Sequence, residues 1–307
     1  MKNLELNKDI YYKIMDYATA KGLSRGTLLI YAHYLKKIIK KNKVLNKEVL
    51  IKLLKSMRHQ TQRAVLVLIN EYCYHADIDF RLIIPKIKSS SRPLPETLPV
   101  DEVRIIIESV PKPYDLMLRC IFNIGGGLRI SEAIKLSWDD IKWYAWLNSD
   151  RKGYGIVTIK KSKGGKDRTN NIPHKLMEDL YGYAKKLGIT NENDIPIGRM
   201  IFNCDIKNYK PDLFINNREK WKFEALRHAY DWFRYNILKK YCEKALGHKL
   251  HIHQLRHTRA TYLYEVEKIP LEQIQKLLGH SSITTTLIYT KISMKDTFDL
   301  IKNAKEL

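Results

Sequence analysis

Apolar positions along this chain recur mostly at helical spacing. Ile30, Tyr31, Tyr34, Leu35, Ile38 and Ile39 share one side of a helix. Lys36 to Arg63 continues that pattern with ten basic side chains and one acid, Glu48, so two or more amphipathic helices with a lysine-coated face are predicted. Val100-Asp101-Glu102 opens a further helix, and Leu116 to Ile124 another, which ends at Gly125-Gly126-Gly127. Between Trp143 and Pro173 the character changes. Tyr, Trp, Val, Ile and Thr stand in short runs around Ser149-Asp150 and Gly164-Gly165, which predicts a three-stranded antiparallel sheet with polar turns. Helical spacing resumes over 175–188, 217–246, 253–267, 270–278 and 283–291, with a last amphipathic piece at 294–306. The expected fold class is mainly α with a small antiparallel sheet (α+β).

Residues 87–102 break all periodicity with three Ser and three Pro, as a linker between domains does. The expected organisation is a basic helical domain over 1–88, a linker at 89–99 and a second domain over 100–307 with a tail helix at 294–307.

Charge sharpens this picture. The 307 residues carry a net +22, and residues 1–88 hold 18 Lys and Arg against 7 Asp and Glu. Like charges at helical spacing are destabilising unless something neutralises them, so the N-terminal face points to phosphate contact. A polyanionic partner is expected, nucleic acid ahead of an anionic membrane surface. The longest apolar run, Ala64 to Ile69, falls far short of the ~20 residues that cross a bilayer, and the charged N-terminus lacks the apolar segment of a signal peptide. A cytoplasmic location is expected. Cys73, Cys120, Cys204 and Cys242 lie far apart with no C-x-x-C pair, and read as reduced core residues.

The densest chemistry lies in residues 251–292. Leu255, Ala260, Leu263 and Val266 supply a buried stripe, which leaves His253 and Arg256 together on a neighbouring face. Pro270 stands where a helix begins, Gly279 where it ends, and His280 follows directly. Ser282 then caps a helix that presents Tyr289 about two turns in. The result is a cluster of cationic donors around a phenol. His251 and His253 form an H-x-H, but no third metal ligand stands nearby.

This stretch resembles the tyrosine recombinases, the family of phage integrases and Xer-type resolvases. Its second signature box, H-x-L-R-H, then L-G-H-s-s, then T-T-x-x-Y, is matched by His253 to His257, Leu278 to Ser282 and Thr285 to Tyr289. The first box is matched by Gly127-Leu128-Arg129-Ile130-Ser131-Glu132 with Leu136, Trp138 and Asp140. Between them Lys163-Gly164-Gly165-Lys166-Asp167-Arg168 matches the family's hairpin sequence K-G-x-K-x-R. Gly125 and Gly126 depart from the commoner T-G-L-R entry to the first box.

The resemblance implies an N-terminal DNA-binding domain followed by the family's catalytic domain, and a site-specific recombinase or integrase working through a 3′-phosphotyrosine. Tyr289 would be the nucleophile, Arg129 and Arg256 the grip on the non-bridging oxygens, and His253 the proton acceptor. His280 would donate to a phosphate oxygen, Lys163 would be the general acid, and Glu132 an orienting acid. Lys166 is the alternative acid, and it and Arg168 otherwise read as DNA-backbone contacts or turn residues. Forked guanidinium bonds suit a phosphate better than a lysine point charge. The ester keeps the bond energy, so no cofactor and no metal are expected, and no phosphate loop is present. The implied partners are double-stranded DNA and further copies of the chain, four on two DNA sites, with 294–307 docking on a neighbour and no membrane. Two other readings stay open: DNA relaxation by a type IB topoisomerase, and a non-catalytic DNA-binding relative. Leu226-Arg227-His228 and Leu246-Gly247-His248 imitate parts of the second box but read as structural.

Overall fold

The computed structural model of the chain describes residues 3–23, 25–56, 60–84, 94–160, 167–198, 200–202, 204, 218–280 and 282–291. Internal contacts divide it into two compact units, Met1–Arg92 and Pro93–Leu307.

The first unit holds α1 (Lys8–Ala20), α2 (Arg25–Lys41), α3 (Lys47–Ser56) and α4 (Gln60–His75). Asn7 caps α1 by accepting from the Ile10 amide at 2.9 Å. Ile14, Leu35, Ile38, Leu66 and Ile69 turn inward as one core, while Lys36, Lys37, Lys40, Lys41 and Lys43 remain exposed. The unit is not wholly helical as the periodicity predicts. Leu4–Glu5 (β1) pairs antiparallel with Val44–Leu45 (β2), because burying Leu4 against Leu45 secures both ends of the segment to the core.

The second unit begins with α5 (Val100–Ser109) and α6 (Tyr114–Asn123), followed by the short α7 (Ile130–Lys135). The predicted three-stranded sheet is a two-stranded hairpin, β3 (Gly155–Ile159) against β4 (Arg168–Ile172), with one bridge from Ile141 to Val157. Trp143–Leu147 forms a helix, α8, where the aromatic run suggests a strand. Its indoles decide this: Trp143 and Trp146 are buried against Trp138 and Tyr181 with ring centroids near 6 Å, a packing that one helical turn provides.

Next come α9 (His174–Leu187) and a long helix from Arg218 to Leu246, built of α10 (Arg218–Phe233), a π-helical section over Arg234–Cys242 and α11 (Glu243–Leu246). Helices α12 (Ile252–Glu265), α13 (Leu271–Leu278) and α14 (Ile283–Thr286) follow. Leu255, Ala260 and Leu263 are buried as expected, but Val266, just past the end of α12, is 59% exposed. All four cysteines are free and buried. Residues 89–93 of the predicted 89–99 linker, Lys163 and Lys166, and the predicted tail helix at 294–307 lie outside the described residues, while the rest of that linker packs into the second unit, with Leu98 buried in its core and its amide donating to Thr258.

Candidate active site

Helix α7 begins on a cap supplied by Glu132. Arg129 precedes it in extended backbone, and Glu132 turns back to accept the Arg129 amide and its Nη1, each at 2.8 Å. The first-box motif thereby fixes one guanidinium at a helix start. Arg168, at the head of β4, delivers a fork to the same carboxylate, with Nη1 to Oε1 and Nη2 to Oε2 both at 2.8 Å. Burial alone would raise the Glu132 carboxyl. The Arg168 fork, followed by the bonds from Arg129, holds it down at about 2.

Arg256 stands on α12 with only 5% of its surface exposed. Its guanidinium donates to the carbonyls of Gly127 and, at 2.6 Å, Leu278, and its Nη1 lies 4.0 Å from Glu132. One side chain on α12 thus ties the turn at Gly127 to the end of α13. Gly127 makes this possible: it has a φ of +97°, and a Cβ there would stand 3.2 Å from the Arg256 Cα. Burial, and then Arg129, lower the Arg256 guanidinium to about 10, so it remains a cation at neutral pH. Three guanidiniums thus surround one carboxylate and leave the cluster positive.

The histidines are held neutral beside that charge. His253, one turn before Arg256, keeps an exposed edge, yet desolvation and the nearby Arg256 and Arg129 lower it. His280 follows Gly279, the left-handed end of α13, and burial together with Arg256 and Arg129 lowers it to about 4. Its Nδ1 lies 3.0 Å from the hydroxyl of the fully buried Thr286. If Nε2 carries the ring proton, Nδ1 accepts from Thr286 and Nε2 is the donor.

Tyr289 sits in the helical turn 288–291 and is 1% exposed. It packs with Ala260, Leu263, Ile274 and Leu278. Its hydroxyl lies 3.3 Å from His257 Nδ1. Burial raises the phenol, and Arg256 and Arg129 act against that rise. The structure therefore brings Arg129, Arg256, His253, His280 and Tyr289 into one electrostatic neighbourhood.

Arg168 differs from its sequence reading. Its side chain is buried against Glu132 and presents no surface contact. Three polar partners went unrecognised in the sequence: the Arg168 fork, Thr286 and the pairing of His257 with Tyr289. Each carried a signal, since Arg168 belongs to the hairpin motif and the other two to the second box. The box imitations are peripheral: Arg227 is exposed near Asp231, and Gly247 ends α11 in left-handed backbone. Among the described residues no group of three metal-ligating side chains occurs and no helix is long and apolar enough to cross a membrane.

Residues 96–296 match the model of the phage integrase family. The chain belongs to that family, and with it to the enzymes that break and rejoin DNA strands. It is 29% identical to tyrosine recombinase XerA of Pyrococcus furiosus, an alignment covering 100% of this chain and 98% of that one. The XerA of Pyrococcus horikoshii is also 29% identical, with 98% and 95% covered. Among solved structures, a XerH site-specific recombinase bound to a palindromic difH substrate superposes with a TM-score of 0.60 at 20% identity, covering 90% of this chain and 79% of that chain. A lambda integrase tetramer bound to a Holliday junction gives the same TM-score of 0.60 at 16% identity, with 94% and 78% covered. Both are similar to this chain in fold.

Proposed function

We propose that this protein is a site-specific DNA recombinase that cuts and rejoins duplex DNA through a covalent 3′-phosphotyrosine, by sequential strand exchange. The observation that carries this reading is the positive cluster of Arg129 and Arg256 around Glu132, with Tyr289 inside its field. A phenol with an ordinary pKa near ~10 is a weak nucleophile at neutral pH, so it needs cationic surroundings that favour the phenolate and the charged phosphorane.

In the proposed step the Tyr289 oxygen attacks the scissile phosphorus while its proton passes to His253. Arg129 and Arg256 hold the two non-bridging oxygens, and the His280 Nε2 donates to one of them. The bond from phosphorus to the 5′ oxygen breaks, and Lys163 protonates that leaving oxygen. The products are a phosphotyrosine ester and a 5′ hydroxyl, and the reverse reaction with a new strand reseals the DNA. Neither a nucleotide triphosphate nor a metal takes part.

In this reading the helices of residues 1–88 hold one face of the duplex and residues 100–307 the other. Four protomers assemble on two DNA sites, with 294–307 bridging neighbours. The exposed lysines on α2 and after it support phosphate contact by the first unit.

The test uses a duplex selected by this protein from a random pool and nicked beside the cleavage position, so that the released fragment is lost. Wild-type protein is expected to form a denaturation-resistant adduct, and Tyr289→Phe to form none. An adduct from the variant would overturn the assignment of the nucleophile. Wild-type protein without any adduct would overturn the function.

A further inference from the structure

His280 is fixed at its backbone and at its ring by different partners. Its amide donates to the Gln275 carbonyl at 3.1 Å and its own carbonyl accepts from Gln275 Nε2 at 3.0 Å, so the chain just past Gly279 is clamped to α13. That clamp leaves the ring free to turn over. The ring is met at Nδ1, 3.0 Å from the Thr286 hydroxyl. Ser282 caps α14 by accepting the Thr284 amide at 3.3 Å, and the single turn Ile283–Thr286 brings Thr286 back against the histidine.

The direction of this hydrogen bond follows from what surrounds Thr286. The residue is fully buried, so solvent supplies no acceptor for its hydroxyl proton. A helical threonine can donate to a carbonyl one turn back, but here His280 Nδ1 is the one partner of the hydroxyl among the described residues. A buried hydroxyl proton without an acceptor is unfavourable, so the hydroxyl donates and Nδ1 accepts. Burial, then Arg256 and Arg129, keep the ring neutral at physiological pH, and a neutral imidazole carries a single N–H. That proton is therefore on Nε2, because the bond made by one ring nitrogen sets the state of the other.

We infer that Thr286 is a positioning residue for strand cleavage: its hydroxyl holds His280 in the tautomer and ring orientation that offer an N–H at Nε2 to a phosphate oxygen. With the other tautomer Nε2 would present a lone pair, which repels an anionic oxygen. With the ring turned over, a C–H would stand in its place.

The role in cleavage rests on the phosphotyrosine reading, whereas the tautomer is measured without DNA, so the two fail separately. The probe is the full chain with isotope-labelled histidine, whose ring nitrogens resonate differently when protonated and unprotonated. The signals missing from His280→Gln are those of His280. Wild-type protein at neutral pH is expected to carry the His280 proton on Nε2 alone. Thr286→Val replaces the hydroxyl by a methyl of similar size. It should share the proton between the two nitrogens and form adduct on the nicked duplex about 10- to 100-fold more slowly, the scale for losing an outer partner that orients a histidine. Thr286→Ser keeps the hydroxyl and should match wild type in both measurements. In a His280→Gln background, Thr286→Val should cost nothing further.

A wild-type proton on Nδ1, or a Thr286→Val spectrum identical to wild type, overturns the inference. So does adduct formation at the wild-type rate by Thr286→Val. A loss that persists in full in the His280→Gln background would make Thr286 a packing residue only, and overturns it as well. Wild-type protein that forms no adduct overturns the phosphotyrosine reading, and the role in cleavage with it, whatever the spectrum shows. If thermal melting shows Thr286→Val unfolded, Thr286→Ala is measured by the same criteria.

Discussion

The Tyr289 hydroxyl lies 3.3 Å from Nδ1 of a His257 ring that burial, then His253 and Arg256, lower to about 4. A neutral ring at physiological pH has one acceptor nitrogen, and the phenol is an O–H donor. The contact therefore pairs the buried hydroxyl of a ring that packs among apolar side chains. Replacing His257 by Phe should leave the hydroxyl buried without that partner and lower unfolding free energy by about 1–3 kcal/mol. In that background Tyr289→Phe should restore part of the loss. Urea denaturation of the two single variants and the double variant measures the coupling, and strictly additive effects would refute it.

Acid should weaken the fold in a defined window. His257 and His280 are lowered to about 4 in the folded state against an ordinary histidine value near ~6.5. Between those values the unfolded chain binds more protons, so stability is fully present above ~6.5 and is lost as pH falls toward about 4. Glu132, held at about 2, adds a separate loss only below the ordinary carboxylate range near ~4.3. Melting temperatures from pH 8 to pH 4 should show the histidine transition. Replacing His257 by Gln should make it shallower and leave the share of His280 in place.

Gly127 carries the Arg256 anchor on left-handed backbone. Gly127→Ala would combine strained φ with a Cβ 3.2 Å from the Arg256 Cα, and should destabilise the protein by about 1–3 kcal/mol. Gly153, also left-handed but with nothing within 4 Å of its Cβ position, is the control. Its Ala variant should melt closer to wild type, and equal shifts for the two would contradict the close approach.

Arg256→Lys should keep a positive charge and lose two anchors at once. A lysine point charge does not reproduce the fork that reaches the Gly127 and Leu278 carbonyls. Adduct formation should fall by about 100-fold or more, the scale for removing one preorganised donor from a charged transition state. Activity near wild type would show that geometry at this position is dispensable.

The sequence carried the helices around the site well. Pro270, Gly279 and Ser282 are local punctuation: the first two bound α13 and the third begins α14, which stops at Thr286 and not at 291 as the spacing predicts, with Tyr289 in the separate turn 288–291. Arg129, Arg256, His280 and Tyr289 were legible through their boxed spacing. The Arg168 fork was not, because Glu132 lies 36 residues away and only the folded hairpin brings the two together. Trp143–Leu147 misled for the opposite reason. Its residues favour strands locally, and packing against Trp138 and Tyr181 overrides that preference. The π-helical section over Arg234–Cys242 left no periodic signal distinct from the α-helix around it.

The four buried thiols carry a practical consequence for labelling. Burial raises Cys73 and Cys242 to about 11 and Cys204 to about 12, and pushes Cys120 higher still. Alkylating reagents attack thiolates, so the native protein presents them almost no target. Tyr74→Cys on the first unit or Tyr144→Cys on the second, both at largely exposed positions, would each give a fluorophore a single handle without removing any natural cysteine.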